Sequence, residues 1–452
     1  MLRRSRYVLV IPLQNREFLF VNTFTGAILF GPEEILRILN GVNPEQETSE
    51  EVSALVSQGF LTELSPKEET EKAFKSLESI QSLHRDHTLF ALIPTYDCNM
   101  RCDYCYVSSV FTRDEPWLQR KMTHSQVDAA FKAMETLNPH TRAPIHLLGG
   151  EPLISSNYEL IEYILTRGTR CDKSFIIVTN GLESSLFLPL LLESKITSLQ
   201  ITVDGIEEIH NRRKKRADGT GSFCQIVESI DQLAEAGFTV YVRVNIDHST
   251  VRTLPSFMEF AHEKGWDQRD NMIYLSPVRH HTPGGCYNFM HNLKKEDLQF
   301  LLGDEVLRDV FLRGLGPIAQ KLGFVDKWLP QMSYCRSYLS QTWFDPFGDI
   351  YLCTDTLGNK EEAVGTYYPE VTFNERFNQW KERTIFNMKS CRHCRYAMIC
   401  GGGCGNYAAQ TKGDLLKPDC EFSNQAVDVY YPLFGKMIQG ERKRTQENIP
   451  GE

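Results

Sequence analysis

A chain of 452 residues with 41% hydrophobic and 24% charged residues is ordinary in composition for a globular protein but long for one domain, so a central domain of about 200 residues with smaller modules at its ends is expected. A net charge of −9 argues against broad contact with nucleic acid or an anionic membrane, both of which need a positive field. No run reaches the roughly 18 apolar residues needed to span a bilayer, and the basic start before YVLVIPL has a short apolar stretch and no small-residue cleavage site, so a cytoplasmic protein is expected.

Residues 7–13 and 17–22 read as strands around the turn Asn15-Arg16, followed by helices over 33–39 and 50–58 and a returning strand in GFLTEL. Together they make a small α+β module over residues 1–66. The charged, helix-prone stretch 67–86 has no strong core signal and reads as a linker helix. From 87 to 285 the pattern changes. Six short apolar segments, LFALIPT, IHLLGG, SFIIVTNG, SLQITVDG, TVYVRVNID and MIYLSPV, alternate with amphipathic helices such as 125–137, 158–165 and 224–236. Strands apolar on both faces and separated by helices imply a parallel sheet covered by helices, which places the chain in the α/β class as a partial (β/α)6 barrel. In such sheets the reactive groups sit at the carboxyl ends of the strands. Residues 286–334 read as a helical bridge. Residues 335–435 are rich in glycine, cysteine and aromatics, as in folds held by metal sites, and 436–452 read as a frayed tail.

Thirteen cysteines in a chain without a secretion signal point to metal ligation rather than disulfides. Three fall between 98 and 105 and seven between 335 and 420, leaving Cys171, Cys224 and Cys286 as core or incidental thiols. Cys98, Cys102 and Cys105 follow directly on the first barrel strand. Three thiolates hold three irons of a [4Fe–4S] cube and leave the fourth open, whereas a structural site wants four ligands. Three-then-two spacing with no nearby histidine is poor zinc spacing. The basic run 212–216 is either a solvated loop or a holder of an anionic ligand group.

The triplet, with aromatic Tyr104 before its last cysteine, resembles the signature of the radical S-adenosylmethionine (SAM) superfamily. The resemblance implies that the amino and carboxylate groups of SAM bind the open iron and that an electron from the cluster yields a 5′-deoxyadenosyl radical. Gly149, Gly150, Glu151 and Pro152 resemble the family's motif for the methionine amino group, the glycines allowing close backbone approach and Glu151 accepting from the ammonium. Tyr104 would pack near the adenine. Thr202 and Asp204 stand where relatives face the cofactor carboxylate and ribose, and Asn180 closes the third strand as a cofactor contact or a turn cap. Lys214 holds the place of a carboxylate-binding arginine, with Arg213 as the alternative.

Farther on, Cys335, Cys353, Cys391, Cys394, Cys400, Cys404 and Cys420 come in an order that resembles the SPASM extension of peptide-modifying radical enzymes. By that resemblance Cys391, Cys394, Cys400 and Cys420 hold one auxiliary [4Fe–4S] cluster and Cys335, Cys353 and Cys404 a second. Leu329 stands where fully ligated relatives carry a further cysteine, so the second cluster has an iron left for substrate, Cys286 or a non-cysteine ligand. Asp355 lies near the place of a catalytic base that directly follows the position of Cys353 in sulfatase-activating relatives, but Thr354 intervenes here, an offset that could reverse the side chain's direction on a strand, and it is either that base or a turn residue. The N-terminal part resembles a winged, PqqD-like leader-recognition module, which binds an unstructured leader as an added strand. A winged DNA-binding module is disfavoured because there is no basic recognition helix. The resemblance therefore implies a peptide maturase that forms a thioether or carbon–carbon crosslink in a ribosomally made precursor peptide, supplied with electrons by a flavodoxin or ferredoxin. Formylglycine formation on a sulfatase and radical oxidation of a small molecule are the alternatives.

Overall fold

The computed structural model describes residues 2–41, 49–84, 88–105, 116–269, 272–278, 293–315, 330–335, 341–420, 424, 429, 431–433 and 435. Cys286, Leu329 and the tail 436–452 lie outside the described residues, as does much of the 286–334 bridge, in which Lys295–Gly303 and Glu305–Leu315 are helical as expected.

In the N-terminal module, β1 (Arg3–Arg4) is paired antiparallel with β5 (Leu61–Thr62), while β2 (Val8–Pro12), β3 (Glu17–Asn22) and β4 (Ile28–Pro32) form an antiparallel sheet. β1 and β4 are strands beyond those expected. Helices Glu33–Asn40 and Glu50–Ser57 close the module, the second capped by the Ser49 hydroxyl accepting from Val52 N at 3.2 Å. Phe20, Leu39, Val52, Leu55 and Phe60 form its core.

Helix Pro66–His84 does more than link. Ala73 and Leu77, four residues apart on one face, are buried with Tyr7 against Ile385, Met388, Ala397 and Met398 of the C-terminal region. Phe74 meets Phe386 edge to face at 4.3 Å. Arg6 Nη2 donates to His393 O at 3.0 Å and Thr23 Oγ1 to Arg395 O at 2.7 Å. The first 84 residues therefore cover the very loop that carries Cys391 and Cys394.

The central sheet has ten strands. Six of its parallel members are the six expected segments: β6 (Leu89–Leu92), β8 (Ile145–Leu147), β9 (Phe175–Thr179), β10 (Ile196–Thr202), β12 (Val240–Ile246) and β13 (Ile273–Pro277), adjacent in chain order. Helices His124–Leu137, Tyr158–Arg170, Phe223–Glu235 and Leu254–Glu263 cover it. β7 (Met100–Cys102) and β11 (Lys214–Arg216) form a separate ribbon above the strand ends. The sheet does not stop at β6. β14 (Gln341–Phe344) pairs parallel with β6, and β15 (Asp349–Tyr351), β16 (Gly365–Thr366) and β17 (Thr372–Phe373) continue antiparallel from it. The cysteine-rich region is thus built onto the barrel's first strand.

The β14–β15 turn carries a buried carboxylate. Asp345 is fully enclosed and accepts from Phe347 N at 2.9 Å, Asp349 N at 3.0 Å and the Tyr96 hydroxyl at 3.3 Å. Burial, reinforced by the Asp349 carboxylate against these donors, pushes its pKa up to about 7. A raised folded pKa means that the stability present at acid pH is lost as pH rises from the unfolded carboxyl value through about 7. Asp345→Asn keeps an acceptor and removes the charge. Its denaturation midpoint is therefore expected to gain on the parent protein between pH 5 and pH 8, since each tenfold difference in proton affinity between the folded and unfolded carboxyl is worth about 1.4 kcal/mol. A pH-independent difference in urea unfolding would contradict this.

Candidate active site

After β6 the chain passes through residues 93–97 into the triplet loop, which two neighbours pin in place. Gly150 N donates to Thr95 O at 3.0 Å and Glu151 N to Asp97 O at 2.8 Å. A Cβ on Gly150 would lie 2.1 Å from Asp97 O and 2.3 Å from Tyr96 O, so only glycine allows this approach. On the other side β11 is zipped to β7 with Lys214 opposite Cys102. The basic run is consequently split: Arg213 and Lys214 are buried, while Arg212 and Lys215 face water.

The electrostatics of the loop suit a metal cluster. Burial pushes the Cys98 thiol up to about 12, with the nearby Glu151, Cys102 and Cys105 adding to the rise. Thiols that oppose one another's ionisation release their protons when a cationic metal takes the thiolates. Among the described residues no three His, Cys, Asp or Glu side chains stand close enough to hold a single metal ion.

A cavity of about 460 Å³ opens from this loop. Cys98, Cys102, Cys105, Tyr104, Gly149, Gly150, Asn180, Thr202 and Lys214 line it, together with Cys335, Cys353, Cys404 and Asp355. The triplet and the second C-terminal cysteine set therefore share one chamber. Asp355 sits in the short 3-10 turn Thr354–Thr356 that follows Cys353, rather than on a strand.

Four expected contacts stand behind the lining. Glu151 is buried, with its carboxylate accepting from Thr179 Oγ1 at 2.6 Å, Asn180 N at 2.6 Å and Leu153 N at 2.8 Å. Burial, opposed by these donors and by Lys214, brings it up to about 7. Pro152 is not among the lining residues either. Asp204 and Arg213 are buried together: Arg213 Nη2 lies 3.1 Å from Asp247 Oδ2 and its Nε 3.9 Å from Asp204 Oδ2. The guanidinium stacks on Tyr104, 5.0 Å from the ring centre. Of the two cations weighed for the carboxylate contact, Lys214 reaches the chamber and Arg213 braces Tyr104. Burial alone would lower the Lys214 pKa, but Cys102, Asp204, Cys98 and Glu151 together raise it, so the ammonium stays charged. Asn180 caps a turn and also lines the chamber. Its Oδ1 accepts from Leu182 N at 2.8 Å as a turn residue, and its Nδ2 points to Asn99 Oδ1 at 2.8 Å and Cys98 Sγ at 3.8 Å.

The C-terminal cysteines fall into groups by their mutual influence. Cys353 is held well above its usual pKa by burial, then by Asp355, Cys404 and Cys335. Cys391 is pushed up to about 11 by burial, with Cys394 and Cys420 adding and Arg383 opposing. Cys400 is buried at the end of the short helix Ala397–Cys400, which runs into the glycine loop 401–403, its Sγ 3.8 Å from Asp419 O. Gly403, at φ 74°, closes this loop: a Cβ there would lie 1.9 Å from Asp419 O.

Sequence reasoning missed His146, Gln200, Arg243, Asn245 and Trp343, which also line the chamber. Their signal was the strand alternation itself, since Gln200 and Thr202, and Arg243 and Asn245, recur at the two-residue period that puts side chains on one face. Glu183, which accepts from Asn99 Nδ2 at 2.7 Å and Ser155 N at 2.6 Å, was likewise unmarked.

Residues 92–261 match the Radical SAM superfamily. Over 330 residues the chain is 25% identical to mycofactocin maturase MftC of Mycolicibacterium smegmatis, an alignment covering 69% of this chain and 76% of that protein. Among solved structures, native anSMEcpe with bound AdoMet is similar with a TM-score of 0.58 at 18% identity, over 80% of this chain and 100% of that one. Streptococcus suis SuiB bound to precursor peptide SuiA is similar with a TM-score of 0.53 at 15% identity, over 93% and 99%. At these identities the two structures establish the fold, which in SuiB extends over nearly the whole length of both chains.

Proposed function

We infer, from a chain that belongs to the radical SAM superfamily and carries a SPASM-type C-terminal extension, that it is a maturase of a ribosomally made peptide. The observation that carries this reading is the chamber shared by the triplet and Cys335, Cys353 and Cys404, in which a peptide side chain would meet both cysteine groups. A [4Fe–4S] cluster on Cys98, Cys102 and Cys105 supplies, when SAM is bound, the electron that releases a 5′-deoxyadenosyl radical able to take hydrogen from the peptide. Around it the chain's residues bind and orient. Lys214 holds the methionine carboxylate with Thr202, the Gly149-Gly150 backbone and Asn180 border the amino group, and Tyr104 packs on the adenine. Glu151, Pro152, Asp204 and Arg213 shape this wall from behind. Asp355, which follows Cys353 closely and lines the same chamber, would take the proton lost when the substrate is oxidised.

Two auxiliary clusters belong to this reading, on Cys391, Cys394, Cys400 and Cys420 and on Cys335, Cys353 and Cys404. The thiols' mutual elevation supports them. Residues 1–66 would bind the leader as an added strand on the β2–β3–β4 sheet, and a flavodoxin or ferredoxin would supply electrons. No helix among the described residues is long and apolar enough to cross a membrane, and a thiol-rich chain fits the reducing cytoplasm. Support also comes from the relatives: MftC is a maturase, and SuiB was solved with its precursor peptide.

The test uses a synthetic precursor encoded beside this chain and the anaerobically reconstituted protein. Mass loss in the core peptide, dependent on SAM and a reductant, is expected. The leader half alone should compete for binding, and the core half alone should not. Deoxyadenosine release with an unmodified precursor would sink the peptide reading while leaving the radical chemistry intact. For Lys214→Ala, loss of one charge-assisted contact worth about 1.5–3 kcal/mol predicts a 10- to 100-fold rise in the SAM concentration for half-maximal cleavage. Lys214→Arg should recover most of it.

A further inference from the structure

Arg383 follows helix Glu375–Glu382, and its side chain is 3% exposed. Its guanidinium donates to four main-chain carbonyls: Leu415, Lys417 at 2.9 Å, Gly402 at 3.0 Å and Gly403 at 3.0 Å. The loop is shaped around it. Gly402 and Gly403 take left-handed φ values of 83° and 74° and offer their carbonyls to the same nitrogen. A Cβ on Gly405 would lie 2.8 Å from Arg383 Nε.

The guanidinium is thus well supplied with acceptors, but its charge is not matched. Among the described residues no carboxylate lies within ion-pair distance of Arg383, and Asp419 acts on it only from farther away. Taking a guanidinium out of water is expensive unless an opposite charge is near, and neutral carbonyls supply dipoles only. After the cost of burial, the groups that favour its charge are Cys404, Cys335, Asp419 and Cys391. Those three cysteines come from both of the proposed auxiliary sets, so Arg383 sits within the electrostatic reach of each. The missing counter-charge is therefore the negative charge of metal-bound thiolates.

We propose that Arg383 is a buried counter-charge shared by the two auxiliary iron–sulfur clusters, and that it sets their reduction potentials. Reduction adds one negative charge to a cluster, and a fixed cation nearby favours that form, so Arg383 raises the potential of both sites. It is a positioning residue: it touches neither SAM nor substrate and acts through the clusters. This inference rests on the auxiliary-cluster reading above.

The experiment is a potentiometric titration followed by electron paramagnetic resonance. It uses the reconstituted full-length protein, Arg383→Gln and Arg383→Lys, each with its iron content measured. The parent should hold iron for three clusters; iron for the triplet cluster alone would sink the auxiliary-cluster reading itself. With the auxiliary clusters present, Arg383→Gln should shift their midpoint potentials downward and leave the SAM-binding cluster unmoved, while Arg383→Lys should stay close to the parent. Unchanged auxiliary potentials in Arg383→Gln would overturn the proposal, as would an equal shift in all three clusters. If Arg383→Gln fails to hold auxiliary iron, Arg383→Lys decides. Retention of iron and potentials with lysine supports a role for charge, and equal failure assigns Arg383 to the carbonyl contacts alone and overturns the proposal.

Discussion

Cys102→Ala is expected to bring deoxyadenosine formation down to background while most of the iron remains bound. Cys102 ends β7, and its backbone pairing with Lys214 does not involve the sulfur, so the ribbon and the sheet beneath it should form normally. What disappears is one of three ligands to a cluster that already has an open corner. Two thiolates do not hold a cube in place of three. The C-terminal cysteines are held by other segments, at residues 333–335, 353 and 391–420, and should keep their metal. Iron content is therefore expected to fall by one cluster's share rather than to zero. The measurement is anaerobic SAM cleavage with a strong reductant, followed by chromatography of deoxyadenosine, beside iron and zinc analysis. Undiminished cleavage in this variant, or zinc in the parent protein, would remove the basis of the proposed chemistry.

Removing residues 1–80 is expected to do more damage than the loss of a binding module suggests. The deletion removes Tyr7, Ala73 and Leu77 from their packing on Ile385, Met388, Ala397 and Met398. It also removes Arg6 and Thr23 from the carbonyls of His393 and Arg395. Exposing side chains of the size of Ile385, Met388 and Met398 costs about 1.5–3 kcal/mol each, several times what a surface change costs. The stretch laid bare is residues 391–398, which carries two of the cysteines. Expected results are lost precursor binding, reduced C-terminal iron and an unfolding midpoint several degrees lower, with SAM cleavage by the triplet less affected. A truncated protein with its full iron complement and unaltered thermal stability would show that the cover is dispensable. Trimming the leader from the peptide, rather than the module from the protein, is the cleaner way to ask what the module binds.

Much of this was legible because the barrel's signals are local. Each parallel strand is a short apolar run, and the sheet's order follows the chain's order, so no long-range pairing had to be guessed. The triplet and Gly149-Gly150 were legible for the same reason, since three sulfurs within eight residues and two glycines at a strand end announce themselves. β14 was hidden because QTWF is brief, sits among cysteines and takes its partner from about 250 residues upstream. Helix Pro66–His84 was underrated because, among its described residues, its packed face is carried by Ala73, Phe74 and Leu77 amid a charged sequence. A charged residue in a motif suggests a ligand, which is why Glu151 reads as a contact to the cofactor and Arg213 as the alternative to Lys214; the structure adds their protein partners. Spacing along the chain does not reveal whether a carboxylate has already been taken by Thr179 and Asn180.

The joining of β14 to β6 has a consequence for how such an enzyme can diverge. The Cα of Trp343 is in register with Ala91, two residues before Ile93 and the approach to the triplet, and β15 leads directly to Cys353. Both cysteine groups of the reaction chamber are thereby indexed to one continuous ladder of main-chain bonds, with no swivel between them. Loss or gain of a single residue in the turn between Phe344 and Asp349 would slide β15 by one place against β14 and turn Ile350, Tyr351 and the approach to Cys353 to the opposite face. New substrates would accordingly be accommodated by changing side chains on the chamber wall, such as His146, Gln200 and Arg243, while the span from one metal site to the other is inherited unchanged.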